Sequence, residues 1–284
     1  MDLLKGKTCL VTGAGSIRGM GRAISVRFGS EGANVVAVDR EMAPKSIWPG
    51  EEDWRGLEAV VEELEAAGGK GLAVVGDISS SKDVDNVVAQ ALETFGKIDI
   101  FIQCVGIRGP MGTPIVDLDE STWRKLIDIN LTGPFLLAKA VGKTMIPDPE
   151  GKKIVFISSL AGSRGYVGSA AYCASKHGVI GLAKTLALEL AQYKINVNII
   201  SPGAFDTNLR DESIAERARS QGMTVAEMLK KQAEAGPPKG GGGPQIPLGR
   251  MGTPQDIADL VMFLVTDKSS YITAQEIRID GGAE

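Results

Sequence analysis

The sequence predicts an α/β fold: one doubly wound parallel sheet with helices on both faces. Three observations predict it. Strand-length apolar runs alternate with longer stretches of helical periodicity along the whole chain. The first crossover carries a Gly-rich turn, GAGSIRGMG, between an apolar run and a helical pattern. No tandem repeat or domain boundary interrupts the 284 residues, and α/β folds often run past 200 residues undivided. One domain over 1–284 is therefore expected, with one long insertion at about 207–247.

Taken in order, residues 7–12 (KTCLVT) read as the first strand. The glycines that follow let backbone N–H groups approach a pyrophosphate, which would sit at the positive N-terminus of the next helix. The second strand, ANVVAVDR, ends at Asp39, about where an acidic residue binds the adenosine ribose hydroxyls of NAD. Residues 41–53 form a Pro/Gly-rich charged insertion, either a surface loop or a wall near the adenosine end. A helix is expected at 54–67, a third strand at 71–76 and a helix at 82–95. The strand KIDIFIQ follows, and then one long helix at 119–145. KIVFI is a buried strand and INVNIIS another. Two helices are expected within 208–236, then a Gly-rich hinge at 236–244. A last helix begins near Pro254, and a last strand closes the chain.

Composition removes several function classes. The chain is 43% hydrophobic and 23% charged with a net charge of −4, so nothing points to nucleic acid or an anionic membrane. No apolar run spans a bilayer, and no signal peptide is evident, which predicts a cytoplasmic protein. Cys9, Cys104 and Cys173 lack metal or disulfide spacing. The single histidine, His177, argues against a Ser-His-Asp hydrolase and a histidine-built zinc site, so no metal is expected.

The most informative stretch is 159–176, SLAGSRGYVGSAAYCASK. Ser159 follows a buried strand, while Tyr172 and Lys176 stand four apart on a helix and share a face. A phenol with a pKa near 10 is a poor base at neutral pH. A nearby ammonium would favour the phenolate, and Ser159 could hydrogen-bond a substrate oxygen while Tyr172 moves the proton.

With these residues the chain resembles the short-chain dehydrogenase/reductase family in its classical form, over nearly its whole length. The resemblance implies a Rossmann-type fold and catalysis by Asn130, Ser159, Tyr172 and Lys176. It implies that the Asn130 main-chain carbonyl helps hold a water leading to Lys176, and that Lys176 lowers the tyrosine pKa and binds the nicotinamide ribose. For the cofactor it implies Gly13, Gly19, Gly21, Asp39, Asp77, Ile78, Gly106, Tyr172, Lys176, Pro202 and Thr207. Gly19 and Gly21 come two residues later than in the family pattern, as in its divergent enoyl reductases. The family's Asn-Asn-Ala-Gly is Gln103-Cys104-Val105-Gly106 here, and Ala274 stands where the family usually has Gly. Arg18 and Arg40 could meet the 2′-phosphate of NADP, but Asp39 would repel it, so NAD is expected and NADP is the alternative.

The expected function is NAD-dependent hydride transfer between the nicotinamide and a secondary alcohol or ketone. An NADP-dependent ketoreductase, an enoyl reductase and a non-catalytic dinucleotide-binding regulator are the competing readings. The 207–247 insertion lies where the family keeps its substrate lid, with Met223, Met228 and Leu229 as an apolar cover. A homotetramer is expected, pairing through the helices near 120–146 and 170–191 and through the last strand.

Overall fold

The computed structural model describes residues 2–46, 48, 50–235 and 246–283. The strands are β1 (Thr8–Thr12), β2 (Asn34–Asp39), β3 (Lys70–Val75), β4 (Ile100–Gln103), β5 (Lys153–Ile157), β6 (Asn196–Pro202) and β7 (Glu276–Ile279). They form one parallel sheet in the order β3-β2-β1-β4-β5-β6-β7. Winding reverses between β1 and β4. Carboxyl ends of strands diverge from their crossovers at such a point and leave a crevice for a ligand.

The helices are α1 (Met20–Gly29), α2 (Leu57–Ala66), α3 (Ser81–Phe95), α4 (Glu120–Ile127), α5 (Gly133–Met145), α6 (Ala170–Leu190), α7 (Asp211–Ser220), α8 (Val225–Ala235) and α9 (Pro254–Leu264). One face of the sheet buries Val84, Leu137, Val141, Val179 and Ala183 of α3, α5 and α6. The other buries Ile24, Phe28, Val60, Leu64, Ile257 and Val261 of α1, α2 and α9. Central strands covered on both sides must be apolar at every position; β1, TCLVT, is buried throughout, as is β5, KIVFI.

The helix expected at 119–145 is interrupted. A π-helical turn at Asp128–Thr132 separates α4 from α5. Pro134 supplies the reason, because it lacks the N–H that would meet the Asn130 carbonyl in a regular α-helix. Ala274 takes φ +59, a left-handed conformation that costs an L-residue roughly 1 kcal/mol. Its N–H still reaches Val197 O at 2.8 Å, which carries the chain into β7.

The expected apolar cover takes a different form. Ile214, Ala218 and Met228 are buried together, with Trp48, Met223, Val225 and Leu229 packed on them. Met223, in the turn between α7 and α8, and Met228 of α8 thus build a small core with Trp48 from the 41–53 insertion. The expected Gly240–Gly243 hinge lies outside the described residues.

Candidate active site

The site sits at the carboxyl ends of β1, β4 and β5. Immediately after β1, Gly13 takes φ +69, and a Cβ there would lie 3.2 Å from the Cys104 backbone. Gly21, in the first turn of α1, packs closer still, since its Cβ would stand 2.3 Å from Gly13 O. Gly19 is the N-cap of α1 and has no side-chain cap bond. The start of α1, with glycine at 13, 19 and 21 and no side chain over it, fits a pyrophosphate at the helix N-terminus.

Asp39, at the end of β2, accepts from Gly15 N at 2.9 Å and Arg40 N at 2.8 Å. Burial pushes its carboxyl up, and these two N–H bonds pull it partly back. Gly15 belongs to the site although sequence reading passed over it. A Cβ there would meet Pro44 at 2.9 Å and the Asp39 carboxylate at 3.1 Å. Its place inside GAGSIRGMG was the available signal. The 41–53 insertion is a wall: Pro44 lies over Gly15, and just beyond the insertion Trp54 Nε1 donates to Gly15 O at 2.7 Å.

Arg18 is held by acidic and aromatic partners. It donates to Glu51 at 2.9 Å and with one nitrogen to both oxygens of Asp211 at 2.8 Å, and its guanidinium stacks over Trp48 at 3.9 Å. Its backbone N–H binds the Asn208 side chain at 2.9 Å. One arginine thus joins the Gly-rich loop, the insertion and α7.

Asp77 turns inward on its own segment, accepting from Ser79 N at 2.9 Å and Ser79 Oγ at 2.6 Å. It lines a cleft together with Arg40, Ser79, Arg124 and Lys125. Ile78 is buried in the core, against which Gly133 makes close approach. Pro202 ends β6, and Thr207 is buried beyond it.

Asn130, Ser159, Tyr172 and Lys176 are brought together. The Asn130 side chain clamps the chain after β4: Oδ1 accepts from Ile107 N and Nδ2 donates to Ile107 O, both at 2.8 Å. Nδ2 also reaches Ser175 Oγ at 3.2 Å. The π-turn is what lets a helix-interior asparagine serve this loop instead of its own backbone. Gly106 lies close to the lysine: a Cβ there would stand 3.0 Å from Lys176 Nζ, and the side chain would have to give way slightly. Ser159 caps a short 3₁₀ turn, accepting from Ala161 N at 3.1 Å, and its hydroxyl is near enough to the Tyr172 phenol to favour the phenolate.

Burial raises the Tyr172 pKa in the cofactor-free chain, and Ser159 and the Arg108 charge oppose it. Lys176 Nζ lies 5.9 Å from the Tyr172 ring centroid and donates to Ile157 O at 3.2 Å. Burial lowers the lysine itself to about 8. The i, i+4 spacing aligned the two side chains, but the carbonyl of β5 claims the ammonium. Cys104, beside Lys176, is pushed up to about 12 by burial, so it is an inert thiol here.

This arrangement defines a nucleotide-linked α/β oxidoreductase scaffold, and comparison with known proteins agrees. A family model described as "Enoyl-(Acyl carrier protein) reductase" matches residues 13–284. The chain is 35% identical over 279 residues to 3-oxoacyl-[acyl-carrier-protein] reductase FabG of Thermotoga maritima, covering 98% of each. It is 34% identical to galactitol 2-dehydrogenase of Agrobacterium fabrum, again covering 98% of each. The solved structure of levodione reductase superposes with TM-score 0.81 at 32% identity, covering 98% of both chains. NAD+-bound xylitol dehydrogenase does so with TM-score 0.79 at 30% identity, covering 98% of this chain and 99% of that one. The chain belongs to the short-chain dehydrogenase/reductase family and is an oxidoreductase of it. Among the described residues no helix is long and apolar enough to cross a membrane, and no cluster of three or more His, Cys, Asp or Glu could hold a metal ion.

Proposed function

We propose that this protein is an NAD-dependent oxidoreductase acting on a secondary alcohol or the matching ketone. The observation that carries the reading is the convergence of Ser159, Tyr172, Lys176 and the Asn130-clamped loop at the switch point of the sheet. A nicotinamide dinucleotide bound there supplies or accepts the hydride. Ser159 donates its hydroxyl to the substrate oxygen and orients it toward Tyr172. Tyr172 gives or takes the proton on that oxygen. Lys176 holds positive charge behind the phenol and is placed to bind ribose hydroxyls. Asn130 keeps the loop at 106–108 in register, and its main-chain carbonyl, lacking a donor from Pro134, is open to a water on the proton path.

Asp39 and Arg18 support NAD. The carboxylate stands at the end of β2, and Arg18, the residue best placed to read a 2′-phosphate from the Gly-rich loop, is already held by Glu51 and Asp211. The NADP reading draws on Arg40, Arg124 and Lys125, which line the cleft beside Asp77. A screen of secondary alcohols and ketones with both cofactors, followed by nicotinamide absorbance, decides between them. NAD is expected to win, and Asp39→Ala should narrow its advantage by roughly 10- to 100-fold, the worth of a hydrogen bond to a charged acceptor plus relief of repulsion. A native preference for NADP would overturn the cofactor assignment.

The same reading has copies of the chain pairing as a homotetramer. Trp123 on α4, Phe135 on α5, Leu188 on α6 and Tyr271 before β7 are exposed on the elements expected to pair. Light scattering at micromolar concentration should return four chains; a monomer would contradict the pairing.

A further inference from the structure

Arg108 stands two residues beyond Gly106, and the mechanism above leaves it unused. It lines one small cavity with Tyr172; Thr113, Thr122, Leu118 and Leu126 supply much of the remaining wall. Its charge reaches the Tyr172 phenol. Arg108 is half-buried, yet it makes no hydrogen bond or ion pair with any described residue. That sets it apart from Arg18, Arg22, Arg55, Arg124 and Arg250, each of which meets a carboxylate within 3 Å. A guanidinium is a rigid fork of donors that stays charged at any working pH, so a half-buried one without a partner is a demand for an acceptor.

The backbone around it is pinned. Asn130 holds Ile107 by both its N–H and its carbonyl. Gly109, at φ +68, packs against Leu126 so tightly that a Cβ would stand 2.8 Å from its Cδ1. Gly112 N donates to Gly168 O at 3.0 Å, and Ser169 Oγ reaches Met111 Sδ at 3.4 Å. The Arg108 loop is thus stapled to α4 on one side and to the segment leading into α6 on the other. The backbone that carries Arg108 is ordered before a ligand arrives, and only the side chain itself remains to be fixed.

We propose that Arg108 recognises a carboxylate on the substrate, and that the substrate is a short hydroxy acid or the corresponding oxo acid. This rests on the oxidoreductase reading above. A carboxylate matches one guanidinium through two parallel hydrogen bonds. A phosphate dianion calls for more positive charge than a single arginine flanked by threonine hydroxyls provides. Leu118 and Leu126 offer an apolar wall for a carbon chain. Arg108 lines the same small cavity as Tyr172 and its charge reaches the phenol, so an acid group a few bonds from the reacting carbinol fits the arrangement.

The test compares matched acids and amides: lactate with lactamide, 3-hydroxybutanoate with 3-hydroxybutanamide, mandelate with mandelamide. The native enzyme should favour at least one acid over its amide by 10- to 100-fold in kcat/KM, the range a charge-assisted pair supplies. Arg108→Ala and Arg108→Gln should bring that ratio close to one, and Arg108→Lys should keep part of it. Thermal shift of the NADH complex with the same acids and amides reads the selectivity without turnover. Turnover of the amides as efficient as that of the acids in the native enzyme would overturn the inference and keep the oxidoreductase reading. An equal acid preference in Arg108→Ala would also overturn it. Acid-selective stabilisation that disappears in Arg108→Ala, without turnover of any alcohol, would keep the inference and defeat the oxidoreductase reading.

Discussion

Tyr172→Phe is expected to lower kcat by at least about 10³-fold while dinucleotide binding and folding persist. General acid–base groups contribute on the order of 10²–10⁴-fold. The ring is buried, so phenylalanine fills the same volume. Ser159 loses one partner but keeps its bond from Ala161 N. Calorimetric titration with NAD should therefore match the native protein, and the melting temperature should move little. The direction of the tyrosine shift adds a check. Burial raises its pKa in the cofactor-free protein, so alcohol oxidation, which needs the phenolate, should climb with pH beyond neutrality. Turnover by the phenylalanine variant near the native rate would remove Tyr172 from the proton path.

Lys176→Met is expected to abolish turnover and yet stabilise the cofactor-free protein. Lys176 is 4% exposed, and burial takes its pKa from 10.5 down to about 8. That difference corresponds to about 3 kcal/mol of cost for an interior ammonium at neutral pH. The folded pKa lies below the unfolded one, so the cost is fully present below pH 8. It diminishes as pH rises from 8 toward 10.5, where the folded lysine has already lost its proton and the unfolded one has not. Methionine keeps the packing but leaves Ile157 O without its donor, so a net gain of about 1–2 kcal/mol is the reasonable expectation. For a chain of this size that is a rise of a few degrees in Tm. The gain over the native protein should shrink between pH 8 and 10. A methionine variant that melts below the native protein at pH 7, or whose advantage does not change with pH, would show that the lysine is held by compensating interactions. Greater stability together with lost turnover would mark Lys176 as a group retained for chemistry.

Much of the fold was legible from sequence, because its determinants are local or periodic. Apolar runs such as TCLVT and KIVFI are strands that must be covered on both sides, and the helical stretches between them leave few alternatives to a parallel sheet. Four residues of the expected catalytic set were legible for a similar reason. Ser159 follows a strand, Tyr172 and Lys176 share a helix face by spacing alone, and Asn130 is conspicuous inside an apolar helix.

Tertiary structure decided what depends on competition for a partner. Lys176 was aligned with Tyr172 by its spacing, but whether its ammonium meets the phenol or the Ile157 carbonyl depends on how β5 packs against α6. Arg18 looked like a phosphate reader, and the insertion and α7 supplied the carboxylates that occupy it. Met228 was expected in an apolar cover, and its packing partner Trp48 stands 180 positions away in the chain. Arg108 had no motif to announce it. Only the folded chain shows a pinned arginine beside the tyrosine with no acid to meet it. Secondary structure follows from residue patterns within a few turns, whereas the partner of a long charged side chain is set by which distant segments reach it first.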